Sequence, residues 1–205
     1  MITIVDYGVC NVGSVRNVLR HCGFTSAIAS TPEAIAEASK LILPGIGHFS
    51  AGMEKLVARG LTGALIEAVQ TRGVPILGIC LGMQLLGARS DESETPGLDL
   101  IDARAVAFDK TRMGPDLKIP HMGWNAVEIG HANCLTGGMN GDTRYYFAHS
   151  YHMQVADEAD VTLWCDYGYP FAAAVNRGNI YGVQFHPEKS HRFGRSLIDN
   201  FARYA

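Results

Sequence analysis

Short runs of consecutive apolar residues alternate with helix-spaced ones through the first half of the chain. Residues 2–5 (Ile-Thr-Ile-Val) read as a buried strand, and Val15, Val18, Leu19 and Cys22 then fall at the i, i+3, i+4, i+7 spacing of one helix face, with Gly23 as a stop signal. Residues 27–29 form a weaker strand. Thr31-Pro32-Glu33 opens a helix, Thr31 as its cap and Pro32 at its first position. Leu41-Ile42-Leu43 is another buried strand, ended by Pro44-Gly45. Met53, Leu56 and Val57 mark a short helix, residues 61–71 a further one, residues 74–77 a strand and residues 81–88 a helix. Strands alternating with helices predict a parallel sheet covered on both faces. Ligands of such sheets gather at the carboxyl ends of the strands, which directs attention to residues 6–13, 44–49 and 78–82.

The second half follows another rhythm. Residues 105–108, 125–129, 145–149, 161–165, 172–175 and 180–185 are short β-like runs separated by Gly, Asn and Asp, which predicts an antiparallel portion extending the same sheet. Leu197, Ile198 and Phe201 share one face of a closing helix over 193–204. No repeat and no linker is visible. The expected architecture is therefore one α/β domain over residues 1–205. It has three layers: a mostly parallel central sheet, helices on both faces, and an antiparallel extension.

Composition narrows the function classes. With 205 residues, 47% hydrophobic and 18% charged, the chain can bury one sizeable core and is neither disordered nor low in complexity. A net charge of −3 without any Lys/Arg run argues against nucleic acid as a partner. The apolar stretches are too short and broken to span a bilayer. Met1 leads directly into the first strand with no basic segment before it, so a cytoplasmic protein without signal peptide is expected. The five cysteines (Cys10, Cys22, Cys80, Cys134, Cys165) are odd in number and none form CxxC, which argues against a disulfide framework or a zinc site.

One cysteine stands in a special setting. Gly78-Ile79-Cys80-Leu81-Gly82 follows a Pro-containing apolar strand and precedes a helix, the G-x-nucleophile-x-G form of a nucleophile elbow with Cys in place of Ser. The alternative is a plain strand-to-helix turn holding a buried thiol. A cysteine nucleophile needs a base, and the base an orienter. His186 ends the apolar run 181–185, and Glu188 follows across Pro187. The alternative here is a solvated His beside a solvated Glu. His21 is placed at a helix end, His131 and His191 in solvent, and His149 and His152 beside a strand, where the absence of an obvious third ligand argues against a metal.

Three segments occur in order: Pro44-Gly45-Ile46-Gly47-His48-Phe49, Gly78-Ile79-Cys80-Leu81-Gly82-Met83-Gln84 and Gln184-Phe185-His186-Pro187-Glu188. Over essentially its whole length the chain resembles the class I (triad) glutamine amidotransferases. Asp6-Tyr7-Gly8-Val9-Cys10-Asn11, Pro120-His121-Met122-Gly123-Trp124-Asn125 and the continuation Lys189-Ser190 resemble the branch formed by glutaminase subunits of imidazole glycerol phosphate synthases. The resemblance implies Cys80 as nucleophile, His186 as base and Glu188 as third member of a triad. It places glutamine and its oxyanion at Gly45, Ile46, Gly47, Leu81 and Gln84. It implies a (β/α)8-barrel cyclase as heterodimer partner in histidine biosynthesis, met through Asn11, Pro120, Met122, Trp124 and Lys189, with no metal and no cofactor. It also implies a glutaminase nearly silent alone, because a peptide of the 44–47 segment reorients when the partner's site fills. Read from composition alone, Trp124 suits either a partner face or the core. Two positions depart from the family: Cys10 stands where Gly is common, and His191 where a small residue is common. The alternative within the same chemistry is ammonia supply to a sugar amidotransferase of surface-polysaccharide synthesis.

Overall fold

The computed structural model describes residues 1–205. The alternating first half forms β1 (Ile2–Val5), α1 (Val12–His21), β2 (Ser26–Ala29), α2 (Pro32–Ala36), β3 (Lys40–Gly45), α3 (Phe49–Ala58), α4 (Leu61–Ile66, continued by a wider-turned segment Glu67–Thr71), β4 (Ile76–Cys80) and α5 (Leu81–Leu85). Then follow β5 (Arg89–Ser90), β6 (Ala103–Ala107), β7 (His121–Ala126), β8 (Glu128–Ile129), β9 (Arg144–His149), β10 (Tyr151–Val155), β11 (Val161–Asp166), β12 (Pro170–Arg177), β13 (Ile180–Val183) and α6 (His191–Tyr204).

An 11-stranded sheet runs in the order β2-β1-β3-β4-β13-β12-β10-β6-β5, with β11 and β8 continuing from β12. The β2-β1-β3-β4-β13 portion is parallel, and β12, β10 and β11 pair antiparallel. β1 and β4 are buried at every position, as strands covered on both faces must be. Alternate residues feed two apolar cores. Leu41, Leu43 and Ile76 pack with Ile35, Leu56, Leu65 and Leu85 of α2–α5. Ile4, Ile42, Leu77 and Ile79 pack with Val15, Leu19, Leu197 and Phe201 of α1 and α6. The three expected layers are present. No helix is long and apolar enough to cross a membrane.

Local signals operate where they were read. Thr31 accepts a hydrogen bond from the Ala34 amide with Pro32 in the first turn of α2, and α6 buries Leu197, Ile198 and Phe201. Two expectations need correction, and one strand went unforeseen. The run 125–129 is divided: β7 pairs with β9 in a separate two-stranded ribbon, while β8 pairs with β11. β10 escapes a sequence reading because one residue, Ser150, separates it from β9, and the two strands join different sheets. The helix expected over 81–88 ends at Leu85, and Ala88 instead donates its N–H to the Ala103 carbonyl.

Candidate active site

β4 ends on Cys80 and α5 begins at Leu81, so strand turns into helix without a spacer. Cys80 takes up the turn at φ 54°, ψ −111°, a conformation costing a non-glycine residue on the order of 1–3 kcal/mol. The glycines are demanded by close approach. A Cβ on Gly78 would lie 2.7 Å from the Gly82 carbonyl oxygen, and one on Gly82 would overlap the Leu43 carbonyl oxygen of β3. Gly45 stands opposite Cys80 in the β3–β4 register; a Cβ there would overlap the Tyr7 hydroxyl and approach the Gly82 nitrogen to 2.8 Å. The elbow, the end of β3 and Tyr7 are thus pressed into one knot. The Tyr7 hydroxyl has no hydrogen-bond partner. Burial, with the Cys10 and Cys80 thiols adding, pushes its phenol far above the usual range.

Cys80 lines a cavity of about 380 Å³ together with Gly47, Gln84, Glu92, Ser150 and His186. His186 reaches it from the chain just beyond β13. Its backbone N–H donates to the Tyr146 carbonyl (2.9 Å), and its carbonyl accepts from the Ser190 hydroxyl (2.7 Å). The Ser190 oxygen in turn accepts from the Tyr146 amide (3.0 Å), so β9 and the His186 loop are laced together. Nδ1 of His186 lies 2.8 Å from Glu188 Oε1, with the two side chains only 4% and 5% exposed. A carboxylate only accepts, so Nδ1 carries the proton and Nε2 is the nitrogen left for other chemistry. Burial opposes charge on this imidazole, but the hydrogen bonds with Cys80 and Glu188 outweigh it and raise its pKa to about 9. A proton therefore resides readily on His186 beside the Cys80 sulfur.

The segment 44–47 forms the other wall. Gly45 closes β3, Ile46 is half-exposed, and Gly47 has φ +97°. The Ile46 N–H donates to the Val9 carbonyl at 3.0 Å, so it is engaged away from the cavity. The Leu81 N–H belongs to the first turn of α5, where backbone donors lack intrahelical partners. Gln84 uses both amide hydrogens internally, on the Tyr151 carbonyl and on Gln184 Oε1, each at 3.0 Å.

Pro120, Met122 and Lys189 stand at the mouth of the same cavity. Along β7 the outward positions are Met122, 63% exposed, and Trp124, 43% exposed. Trp124 is therefore a surface residue, and the core alternative fails. It stacks on His191 at 5.5 Å and 5°, and Lys189 lies over the Tyr146 ring. Asn11 caps α1 by accepting from the Ser14 amide (3.2 Å). Cys10 is accommodated because the positive φ of this loop falls on Gly8 rather than on residue 10; burial, then Asp6, pushes its thiol up to about 11.

Sequence reading missed Glu92, Gln184 and the buried histidines. Glu92 lies in an irregular polar stretch with no periodicity to mark it. Gln184 was visible only as part of a motif; the fold places it at 0% exposure with its Nε2 3.8 Å from Cys80 Sγ. His149 and His152, expected beside a strand, lie in β9 and β10 themselves and are buried. His149 pairs with His121 (3.1 Å) and His152 with the Tyr169 hydroxyl (3.0 Å).

Comparison with known proteins agrees with this geometry. The family described as Glutamine amidotransferase class-I matches residues 3–204. The imidazole glycerol phosphate synthase subunit HisH 2 of Pseudomonas aeruginosa is 47% identical over 201 residues, covering 98% of both chains. The protein of the same description from Methanococcus maripaludis is 45% identical over 205 residues and the full length of both. Among solved structures, PurLQS from Thermotoga maritima superimposes with a TM-score of 0.75 at 20% identity, over 99% of this chain and 97% of that one. A glutamine amidotransferase from the same organism gives 0.66 at 19%, over 98% and 81%. These two show the fold alone, whereas the match over nearly every residue and the close relatives carry the assignment: the chain belongs to the class I glutamine amidotransferase family.

Proposed function

We propose that the chain is the glutaminase subunit of an imidazole glycerol phosphate synthase. It hydrolyses glutamine to glutamate and passes ammonia to a separate cyclase of (β/α)8-barrel fold, as a cytoplasmic heterodimer. The observation that carries this reading is the meeting of Cys80, on its elbow, with the 2.8 Å His186–Glu188 pair in one cavity, in a chain nearly half identical to such subunits.

In this mechanism the Cys80 thiol gives its proton to His186 Nε2, and the sulfur attacks the side-chain carbonyl carbon of glutamine. A C–S bond forms and the carbonyl becomes an oxyanion, held by the Leu81 N–H and a second donor from residues 45–47. His186 returns the proton to the amide nitrogen, the C–N bond breaks, and ammonia leaves. Water, activated by the same imidazole, then cleaves the thioester to glutamate. Glu188 keeps the imidazole in the tautomer that faces sulfur. Gln84 and Gly47 hold the substrate, and Glu92 offers a carboxylate for its α-ammonium. No step calls for a metal or cofactor.

The engaged Ile46 N–H supports a gated site. A missing oxyanion donor typically costs about 10²–10³ in rate, enough to keep the isolated chain nearly idle. Pro120, Met122 and Lys189 border the cavity mouth and, with the exposed Trp124 farther along β7 and with Asn11, form the partner face, so docking and catalysis adjoin. Cys80→Ala and Cys80→Ser are expected to abolish glutamate release with the fold intact; full activity in either would end the assignment. Turnover measured with and without the cyclase and its nucleotide ligand tests the gate, and equal rates would remove it.

A further inference from the structure

Besides His186 the Cys80 sulfur has two polar neighbours, the Ala148 carbonyl at 4.0 Å, which can only accept, and the Gln184 carboxamide at 3.8 Å, whose orientation is dictated from a distance. The Tyr151 carbonyl, which can only accept, receives Gln84 Nε2 at 3.0 Å and His149 Nδ1 at 2.8 Å. This settles which end of the Gln84 amide is nitrogen. The second hydrogen of that nitrogen points to Gln184 at 3.0 Å, so Gln184 must present its oxygen there. Its nitrogen is consequently turned to Cys80 Sγ, 3.8 Å away. The same carbonyl fixes His149 with its proton on Nδ1, leaving Nε2 to accept from His121 Nδ1 at 3.1 Å. The two histidines are buried, at 6% and 2% exposure, and Gln184 is wholly so. One chain of hydrogen bonds thus runs from β7 through β10 and α5 to the sulfur, and it ends on a donor.

We infer that Gln184 is a positioning residue for the nucleophile: its carboxamide, locked by Gln84 against the Tyr151 carbonyl, holds an N–H on the Cys80 sulfur and favours the thiolate over the thiol. This rests on Cys80 being the nucleophile. The physical basis is the preference of an N–H donor for an anionic acceptor. A carboxamide free to rotate would offer oxygen and nitrogen alike, and an oxygen facing a thiolate would repel it. The Gln84 link and its histidine-braced carbonyl remove that choice.

The test is the pH dependence of Cys80 alkylation by iodoacetamide in the full chain, with Gln184→Met and Gln184→Glu. Met keeps the volume and removes the donor. Glu keeps the shape and replaces the donor with an acceptor. The alkylation midpoint is expected to move up by about one pH unit in Gln184→Met and at least as far in Gln184→Glu, with kcat reduced about tenfold and KM for glutamine little changed. A purely packing role predicts the reverse order, with Glu close to the parent, and that result would overturn the inference. A second measurement needs no substitution at Gln184. In the 15N-labelled parent its side-chain amide resonance should shift with the alkylation midpoint of Cys80 and cease to do so in Cys80→Ser; an amide indifferent to pH would equally overturn it. Should Cys80→Ser retain glutamine hydrolysis, the nucleophile assignment itself falls. Should Cys80→Ser be inactive while the Gln184 variants titrate like the parent, only the role given to Gln184 falls.

Discussion

If the Ile46 N–H is the held-back oxyanion donor, releasing it should wake the isolated chain. Turning the Gly45–Ile46 peptide by about half a rotation changes ψ of residue 45 and φ of residue 46 together. Gly45 tolerates its share. Ile46 has negative φ now, and the turn would carry it toward positive φ, where an L-residue with a Cβ pays about 1–2 kcal/mol. The hydrogen bond to the Val9 carbonyl adds roughly 0.5–1.5 kcal/mol to the cost of turning. Ile46→Gly removes the first of these terms and leaves the second. At about 1.4 kcal/mol per tenfold, the open form becomes some 5- to 30-fold more populated. Ile46 is 49% exposed, so little packing is lost. Glutamate release by the isolated chain at saturating glutamine should rise by that factor in Ile46→Gly and hardly at all in Ile46→Ala, which keeps the Cβ. The gain should stop short of the roughly 10²–10³ that a fully restored donor is worth. A glycine variant no faster than the alanine control would refute the peptide-rotation argument.

Other expectations follow from single groups. Glu188→Gln preserves shape but unfixes the imidazole tautomer, so kcat should fall by about 10²–10⁴ with the melting temperature nearly unchanged, as steady-state kinetics and calorimetry would show. His121 is held neutral by burial, its pKa lowered to about 4 from 6.5. The unfolded chain therefore binds more protons in that window, and stability should decline as pH falls from 6.5 to 4, by about 1.4 kcal/mol per unit from this group at most. Urea unfolding across that range should flatten in His121→Phe, and a parent indifferent to acid would contradict the burial argument. Tyr7→Phe removes a buried hydroxyl that has no partner; relief of that desolvation should raise stability by about 1 kcal/mol. A lower melting temperature in that variant would mean that the hydroxyl braces the knot between Gly45 and the elbow.

The parallel half of the fold was legible because each of its signals acts locally. Residues 41–43 are a continuous apolar run and residues 2–5 one interrupted only by Thr3, and a run buried on both faces needs only its own residues to announce it. Thr31-Pro32 caps α2 through atoms three residues apart. The elbow was legible for the same reason: Gly78, Cys80 and Gly82 constrain one another within five residues. The antiparallel half was harder. Residues 125–129 look like one β segment, yet two different sheets claim its ends, and a choice of partner strand leaves no trace in side-chain alternation. His149 looked like a strand-flanking histidine because nothing in its neighbours in sequence reveals the aromatic residues, Phe108 and Phe171 among them, that enclose it.

By itself the chain's sequence determined the α/β class, the placing of a thiol on a sharp turn at a strand's carboxyl end, and the order in which its functional segments appear. Only the tertiary structure decided what surrounds that thiol. The His186–Glu188 pair is local, but its approach to Cys80 crosses from β13 to β4, and the Ile46 N–H finds the Val9 carbonyl across two βα loops. The donor on the sulfur is set by Tyr151, which lies 67 residues from Gln84 in the chain. Short-range sterics and periodicity act between neighbours in sequence and can be read there. Hydrogen-bond orientation and burial are properties of the enclosed space that the sheet creates, and no local pattern encodes them.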